Sequence, residues 1–212
     1  MLRFVPLVLL LLLAACSGAA DDPQTAFEDL EDRLLQAETV AFDFQVVSEG
    51  VIEGDLSGVV TLTQGGDVTL EAEGHFIGRQ IQMTMETDAD SLRMATSEMS
   101  DAVARPDDTF RAMVLGFTRM GILHNLAALT TVSPPEHADG GIAEWVEAVR
   151  FETDEQEEDA GITFDILVEG QRTSSATMIL DDGLPVRRRQ VVDFPGGAMI
   201  VQERYSDFRI TR

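Results

Sequence analysis

The chain has 212 residues, of which 44% are hydrophobic, and its 15 basic and 38 acidic residues give a formal net charge of -23 at pH 7. Every basic residue is arginine, and a field of this sign repels phosphate backbones and anionic head groups, which excludes nucleic acid as a partner. The single cysteine rules out a disulfide within the chain.

An apolar run from Phe4 to Ala15 follows Arg3. It is too short to cross a bilayer, which takes about 20 apolar residues. Arg3, the apolar centre and the small residues at its end are the three parts of a secretory signal peptide. The end, Leu13-Ala14-Ala15-Cys16, has the shape of a bacterial lipobox. Residues 1–15 are therefore expected to be a signal peptide, with Cys16 the lipidated first residue of the mature chain. The alternative is an ordinary signal peptide with an incidental cysteine. Each buried CH₂ of an acyl chain contributes about 0.8 kcal/mol, and stable anchoring takes two or more chains. The expected product is tethered through residues 16–22 to a membrane that faces the periplasm or the cell exterior. Ser17 stands where an aspartate would mark inner-membrane retention, which favours the outer membrane in a host that has one.

Residues 23–212 are read as one domain. Asp22 and Pro23 suit the cap and first turn of a helix. Phe27, Leu30 and Leu34 then recur at helical spacing, with acids on the other face, to about Glu38. The period changes to two at Val40, Phe42, Phe44 and Val46, a half-buried strand. Leu56, Val60 and Leu62 continue it, and Gly65-Gly66-Asp67 makes a turn. Val68, Leu70 and Ala72 alternate next, followed after Gly78 by Ile81, Met83 and Met85, and then by Leu92 and Met94. Four or five strands with short turns make an antiparallel meander with one wet face.

From Asp108 to Val132 the chain is apolar and lacks alternation. Arg111, Arg119, His124 and Asn125 argue against a membrane span. It reads as one broken helix or two short ones, with Gly116 and Gly121 as break points. Ser133 to Gly141 is a loop, the segment around Trp145 adds a helical turn, and an acidic loop, ETDEQEEDAG, follows. Ile162, Phe164, Ile166 and Val168 open a second β region. It continues through Thr177 and Ile179 to a turn at Asp181-Asp182-Gly183, and ends in a hairpin at Pro195-Gly196-Gly197. The expected fold class is α+β: a strongly curved antiparallel sheet, or half-barrel, with helices covering the concave face.

This order of elements resembles the LolA/LolB lipoprotein-carrier superfamily, which includes LppX/LprG-type lipoproteins. The local anchors of the resemblance are Gly183-Leu184-Pro185 and the ending ERYSDFRI from Glu203 to Ile210. It implies a half-barrel whose apolar hollow holds acyl chains beneath helices, and a lipid-anchored member is closer to the LolB or LppX type than to a soluble shuttle. No cavity residue is carried over from the family.

The residues themselves suggest which side chains would line such a hollow. Met83, Met85, Met94, Met99, Met113 and Met120 fall in the middle strands and the apolar insert. Methionine is flexible and polarisable, and is over-used on promiscuous apolar binding surfaces. Together with Phe42, Phe44, Leu56, Val60, Leu62, Leu70, Ile81 and Phe117 they would form a wall that re-packs around acyl tails; the plain alternative is a filled core. Arg188, in Arg187-Arg188-Arg189, shares a strand face with Leu184, Val186, Val192 and Phe194. A charge there must be paired or reach water. It either holds the helical cover or meets a ligand head group, or a bulge or edge position returns it to solvent.

No nucleophile motif, phosphate-cradling glycine loop or C-x-x-C occurs. Glu71, Glu73 and His75 share one strand face and have metal-binding chemistry, but equally make an ordinary wet face. His124 reads as structural, and His137 has no partner motif. The expectation is a non-catalytic protein without metal or cofactor that binds acyl chains of lipids or lipoproteins as carrier or acceptor. The alternative is an envelope sensor or protein-interaction module on the same scaffold, with a protein partner in the envelope.

Overall fold

The structure, a computed structural model, describes residues 22–96, 100–105, 107–123, 142–154 and 161–212. The signal run, Cys16 and the tether up to residue 21 lie outside them, as do Met99, His124, Asn125, His137 and the acidic loop beyond Asp154.

Helix α1 spans Pro23–Leu35, and the Asp22 carboxylate accepts from the Thr25 amide at 3.2 Å. It stops short of Glu38 because Gln36 closes the last turn onto Asp32 and Leu34, while the Glu38 amide donates to Thr211 O at the sheet margin. Eleven strands follow in two runs: β1 Thr39–Gly50, β2 Gly54–Thr63, β3 Val68–Phe76, β4 Arg79–Thr87, β5 Ser91–Thr96 and β6 Ser100–Ala104, then β7 Val146–Asp154, β8 Gly161–Val168, β9 Gln171–Asp181, β10 Leu184–Phe194 and β11 Gly197–Thr211. They form one open antiparallel sheet in the order β6-β5-β4-β3-β2-β1-β11-β10-β9-β8-β7. Each run is a meander, and the long pairing of β1 with β11 joins them. This is the curved half-barrel expected from the element order.

The two strands not anticipated, β6 and β7, are the two edges. All five residues of β6 are exposed, so it has no buried alternation to read. β7 carries a bulge between Val149 and Glu152, with Arg150 at φ 58°, and the bulge breaks the period of two.

The apolar insert begins with α2, Thr109–Met120, capped by the Asp108 carboxylate on the Arg111 amide at 3.0 Å. Gly116 lies inside this helix and does not break it, whereas Gly121 ends it. The helical turn α3, Ile142–Trp145, runs directly into β7. Helix α1 packs on α2, β7 and β8, and α2 packs on α1, α3, β2 and β7. Among the described residues no helix is long and apolar enough to cross a membrane.

Candidate functional site

Strand register turns the sequence alternation into rows across the concave wall. Phe42, Val60, Leu70, Met85 and Met94 are successive cross-strand partners from β1 to β5. The next row runs Phe44, Gly58, Ala72 and Met83, and the one after it Val46, Leu56, Gly74 and Ile81. Leu62 pairs with Val40 and Val68. Of the wall residues named from the sequence, Met99 lies outside the described residues, Ile81 and Met113 are half-buried, and the others are buried. Phe117 and Met120 on α2 are buried with them. Phe117 wedges between Phe42 and Tyr205, at centroid distances of 4.7 and 5.1 Å, and Phe208 stacks on Phe42 at 4.8 Å. Offset and edge-to-face aromatic pairs of this kind add about 0.5–1.5 kcal/mol beyond their buried area.

Two buried polar brackets hold α2 in this apolar setting. On one side, Glu31 of α1 receives Arg119 Nε and Nη2 at 2.9 and 2.8 Å and the Thr118 hydroxyl at 2.7 Å. Arg119 Nη1 also donates to Val146 O at 2.9 Å. Glu31 therefore faces α2, not the outer acidic face of its helix. On the other side stands Arg188, whose side chain is fully buried. Its Nη2 donates to Arg119 O at 3.0 Å and its Nη1 to Gln190 Oε1 at 2.7 Å, while Glu203 Oε2 lies 3.6 Å away. Glu203 Oε1 accepts from the Leu123 amide at 3.2 Å, Tyr205 donates its hydroxyl to Glu203 Oε2, and Gln190 Nε2 reaches Ser174 Oγ at 2.8 Å. Of the three outcomes open for Arg188, the structure has the inward one that holds the helical cover, and the side chain does not return to solvent. A bulge is present, but between Pro185 and Arg187. It re-phases the strand so that Pro185, Arg188 and Gln190 face inward, while Phe194 is exposed.

Sequence reasoning passed over Glu203, Tyr205 and Gln190. The signal was present: Val201, Glu203 and Tyr205 alternate on one face of β11, and an inward acid is the natural mate for an inward arginine. Burial, and next the Glu203 carboxylate, push the Tyr205 phenol well above its ordinary range, with Arg188 opposing. Its raised folded value contributes stability that is fully present below the unfolded value of about 10 and is lost as pH climbs from there towards the folded value. Tyr205 is the only tyrosine, so phenolate absorbance reads it directly. The expected result is no phenolate until the chain unfolds in alkali; ionisation of the folded protein at the pH of a free tyrosine would refute the bracket.

Glu71, Glu73 and His75 project from the opposite face of the sheet. Glu71 and Glu73 line an open trough of about 720 Å³ with Asp43 and Gln82. His75 Nδ1 lies 3.6 Å from Asp55 Oδ1, with both side chains exposed. Among the described residues no group of three His, Cys, Asp or Glu is placed to hold a metal.

No family model matches the chain, and no curated protein matches it in sequence. Solved structures do. LprF from Mycobacterium bovis is similar over 88% of this chain and 92% of its own, at 10% identity and a TM-score of 0.41. A LolA superfamily protein from Nitrosomonas europaea is similar over 90% and 93%, at 9% identity and a TM-score of 0.45. MucB of Pseudomonas aeruginosa, in complex with MucA, is similar over 89% of this chain and 58% of its own, at 11% identity and a TM-score of 0.34.

Proposed function

We propose that this protein is a lipid-anchored envelope lipoprotein, its chain from residue 23 onward one domain, that sequesters acyl chains of lipids or lipoproteins against the concave wall. It acts as a carrier or acceptor without covalent chemistry. The observation that carries this reading is the row Phe42, Val60, Leu70, Met85 and Met94 beside Phe44 and Met83: an apolar wall rich in phenylalanine and methionine, crossed by a helix that polar brackets hold at its last turn. Methionine adapts its shape to different tails at little cost, and α2 pivoting at Gly121 would admit them. Cys16 carries the anchor, on the lipobox reading of its sequence. The second reading, a protein-interaction module, is favoured by the aromatic wedge of Phe117 between Phe42 and Tyr205, which fills the wall beneath α2 with protein.

Native mass spectrometry of protein extracted in mild detergent separates the two. The expected spectrum shows the chain with lipid-sized adducts, displaced by a fluorescent fatty acid added in excess. A ligand-free chain that ignores the fatty acid would leave the interaction module standing.

A further inference from the structure

We propose that the hairpin tips at one end of the half-barrel form an apolar rim that dips into the bilayer surface. Three neighbouring connections meet there. The β1/β2 link contains Val51 and Ile52, the β3/β4 turn is Ile77-Gly78, and the β10/β11 turn is Pro195-Gly196. Hydrogen bonds tie them into a line: Ile77 N to Glu53 O at 3.0 Å, and Val51 N to Ala198 O at 3.3 Å. Ile77 is 66% exposed, Val51 43% and Phe194, just before its turn, 39%. The described turns at the opposite end, Gly65-Gly66, Asp88 to Asp90 and Asp182-Gly183, expose no large apolar side chain, and the exposed apolar residue nearest them is Val103 on the edge strand β6, at 44%. The remaining turn on the rim end among the described residues, Glu169-Gly170, is polar, so the described rim spans β3 to β10.

Ile77 is the sharpest part of the observation. Two-residue hairpin turns with positive φ at both positions favour Asn, Asp or Gly. Among the described residues there are three such pairs, Asp182-Gly183, Glu169-Gly170 and Ile77-Gly78, with first-residue φ of 49°, 51° and 52°. Two begin with a polar residue, while the third places a β-branched side chain in a conformation that is a genuine outlier for it. Strain and exposure both count against isoleucine in the isolated fold. Transfer of the side chain out of water at the tip removes the cost of exposure and offsets that of the strain, because apolar surface gains by that transfer.

The occupant is a bilayer because the helix that the tether enters begins towards the same end. Helix α1 finishes at the far end, where Arg33 Nη1 donates to Asp182 O at 2.6 Å. Phe27, earlier in the helix, packs on Phe164 of β8 at 4.7 Å, and β8 runs from Phe164 towards the rim-end turn Glu169-Gly170. The helix therefore starts on the rim side. The stretch from Cys16 to Asp22 spans at most about 20 Å when fully extended, which keeps the rim close to the membrane. This last step rests on the anchored reading; the apolar line of tips and the strain at Ile77 do not. With a net charge of -23, the surface that suits the rim is zwitterionic.

The test uses the mature protein in phosphatidylcholine vesicles that contain a nitroxide-labelled lipid, with an environment-sensitive fluorophore at Ile77→Cys or, at the far end, at Gly65→Cys. Cys16, acylated or not, is common to both. The expected result is a blue shift and strong quenching at position 77 and neither at position 65; equal signals overturn the proposal. In a second pair with the probe at Val51→Cys, Ile77→Asn is expected to raise Tm and to lose the quenching. A lower Tm with quenching intact would make Ile77 a folding residue and also overturn it. The mass of the N-terminal peptide reports acylation separately. If Cys16 carries no lipid, the anchored reading falls, and the rim is judged on the same quenching at excess lipid.

Discussion

Glu203→Gln is expected to destabilise the protein by about 3–5 kcal/mol, the usual cost of leaving one partner of a buried ion pair alone. Arg188 cannot neutralise itself by losing its proton, since guanidinium stays charged in proteins. Its side chain is fully buried, and Glu203 is the acid that faces it. Glutamine keeps an acceptor for the Leu123 amide but removes the compensating charge. Arg188→Met should cost a similar amount, because it strands the carboxylate and frees the Arg119 carbonyl. The double variant Arg188→Met with Glu203→Leu buries no unpaired charge, so it is expected to be more stable than either single variant, although Leu123 N, Arg119 O and Tyr205 still lose partners. Urea unfolding midpoints at constant slope measure all three. Additive losses, or single losses below about 1 kcal/mol, would show that the two charges are uncoupled.

The inner strands were legible because their alternation is strict and their turns are marked. Phe42 and Phe44, Val60 and Leu62, and Met83 and Met85 each face the core as pairs two apart. Gly65-Gly66, Gly78, Asp182-Gly183 and Pro195-Gly196 fix the register that aligns them. Edges were not legible, since β6 has nothing to bury and the bulge in β7 hides its period. The wall could therefore be listed residue by residue, while its polar brackets could not. A bulge such as that between Pro185 and Arg187 has no local signature. Without it Arg188 would share a face with Val186; with it, its inward neighbour is Gln190 and its mate lies on the next strand. Glu31 departs from the other acids of α1, which the sequence places on its outer face, for a related reason. Helical periodicity gives one stripe for the core, but a second helix packed alongside, here α2, makes a second buried stripe that only the fold reveals.

Gly121→Ala is expected to unfasten the far side of α2, and its cost divides into two measurable parts. Gly121 adopts φ 80° and ψ 172°, a region essentially reserved for glycine and worth about 1–3 kcal/mol of strain for any other residue. A Cβ there would also lie 2.2 Å from Arg188 Nη1 and 2.7 and 2.8 Å from the Glu203 carboxylate oxygens, so the ion pair must move. Gly170→Ala is the matched control. Its φ is 74°, and a Cβ would meet nothing within 4 Å, so it carries only the backbone penalty of about 1–2 kcal/mol. Gly121→Ala should lose clearly more stability than Gly170→Ala. It should also admit alkali to Tyr205, so that phenolate forms at lower pH before global unfolding, whereas Gly170→Ala leaves that onset where the wild-type chain has it. Equal losses in the two variants would mean that the bracket tolerates a side chain beside it. Helix α2 would then be held from the Glu31 and Arg119 side alone, and the pivot at Gly121 would have no ionic catch to release.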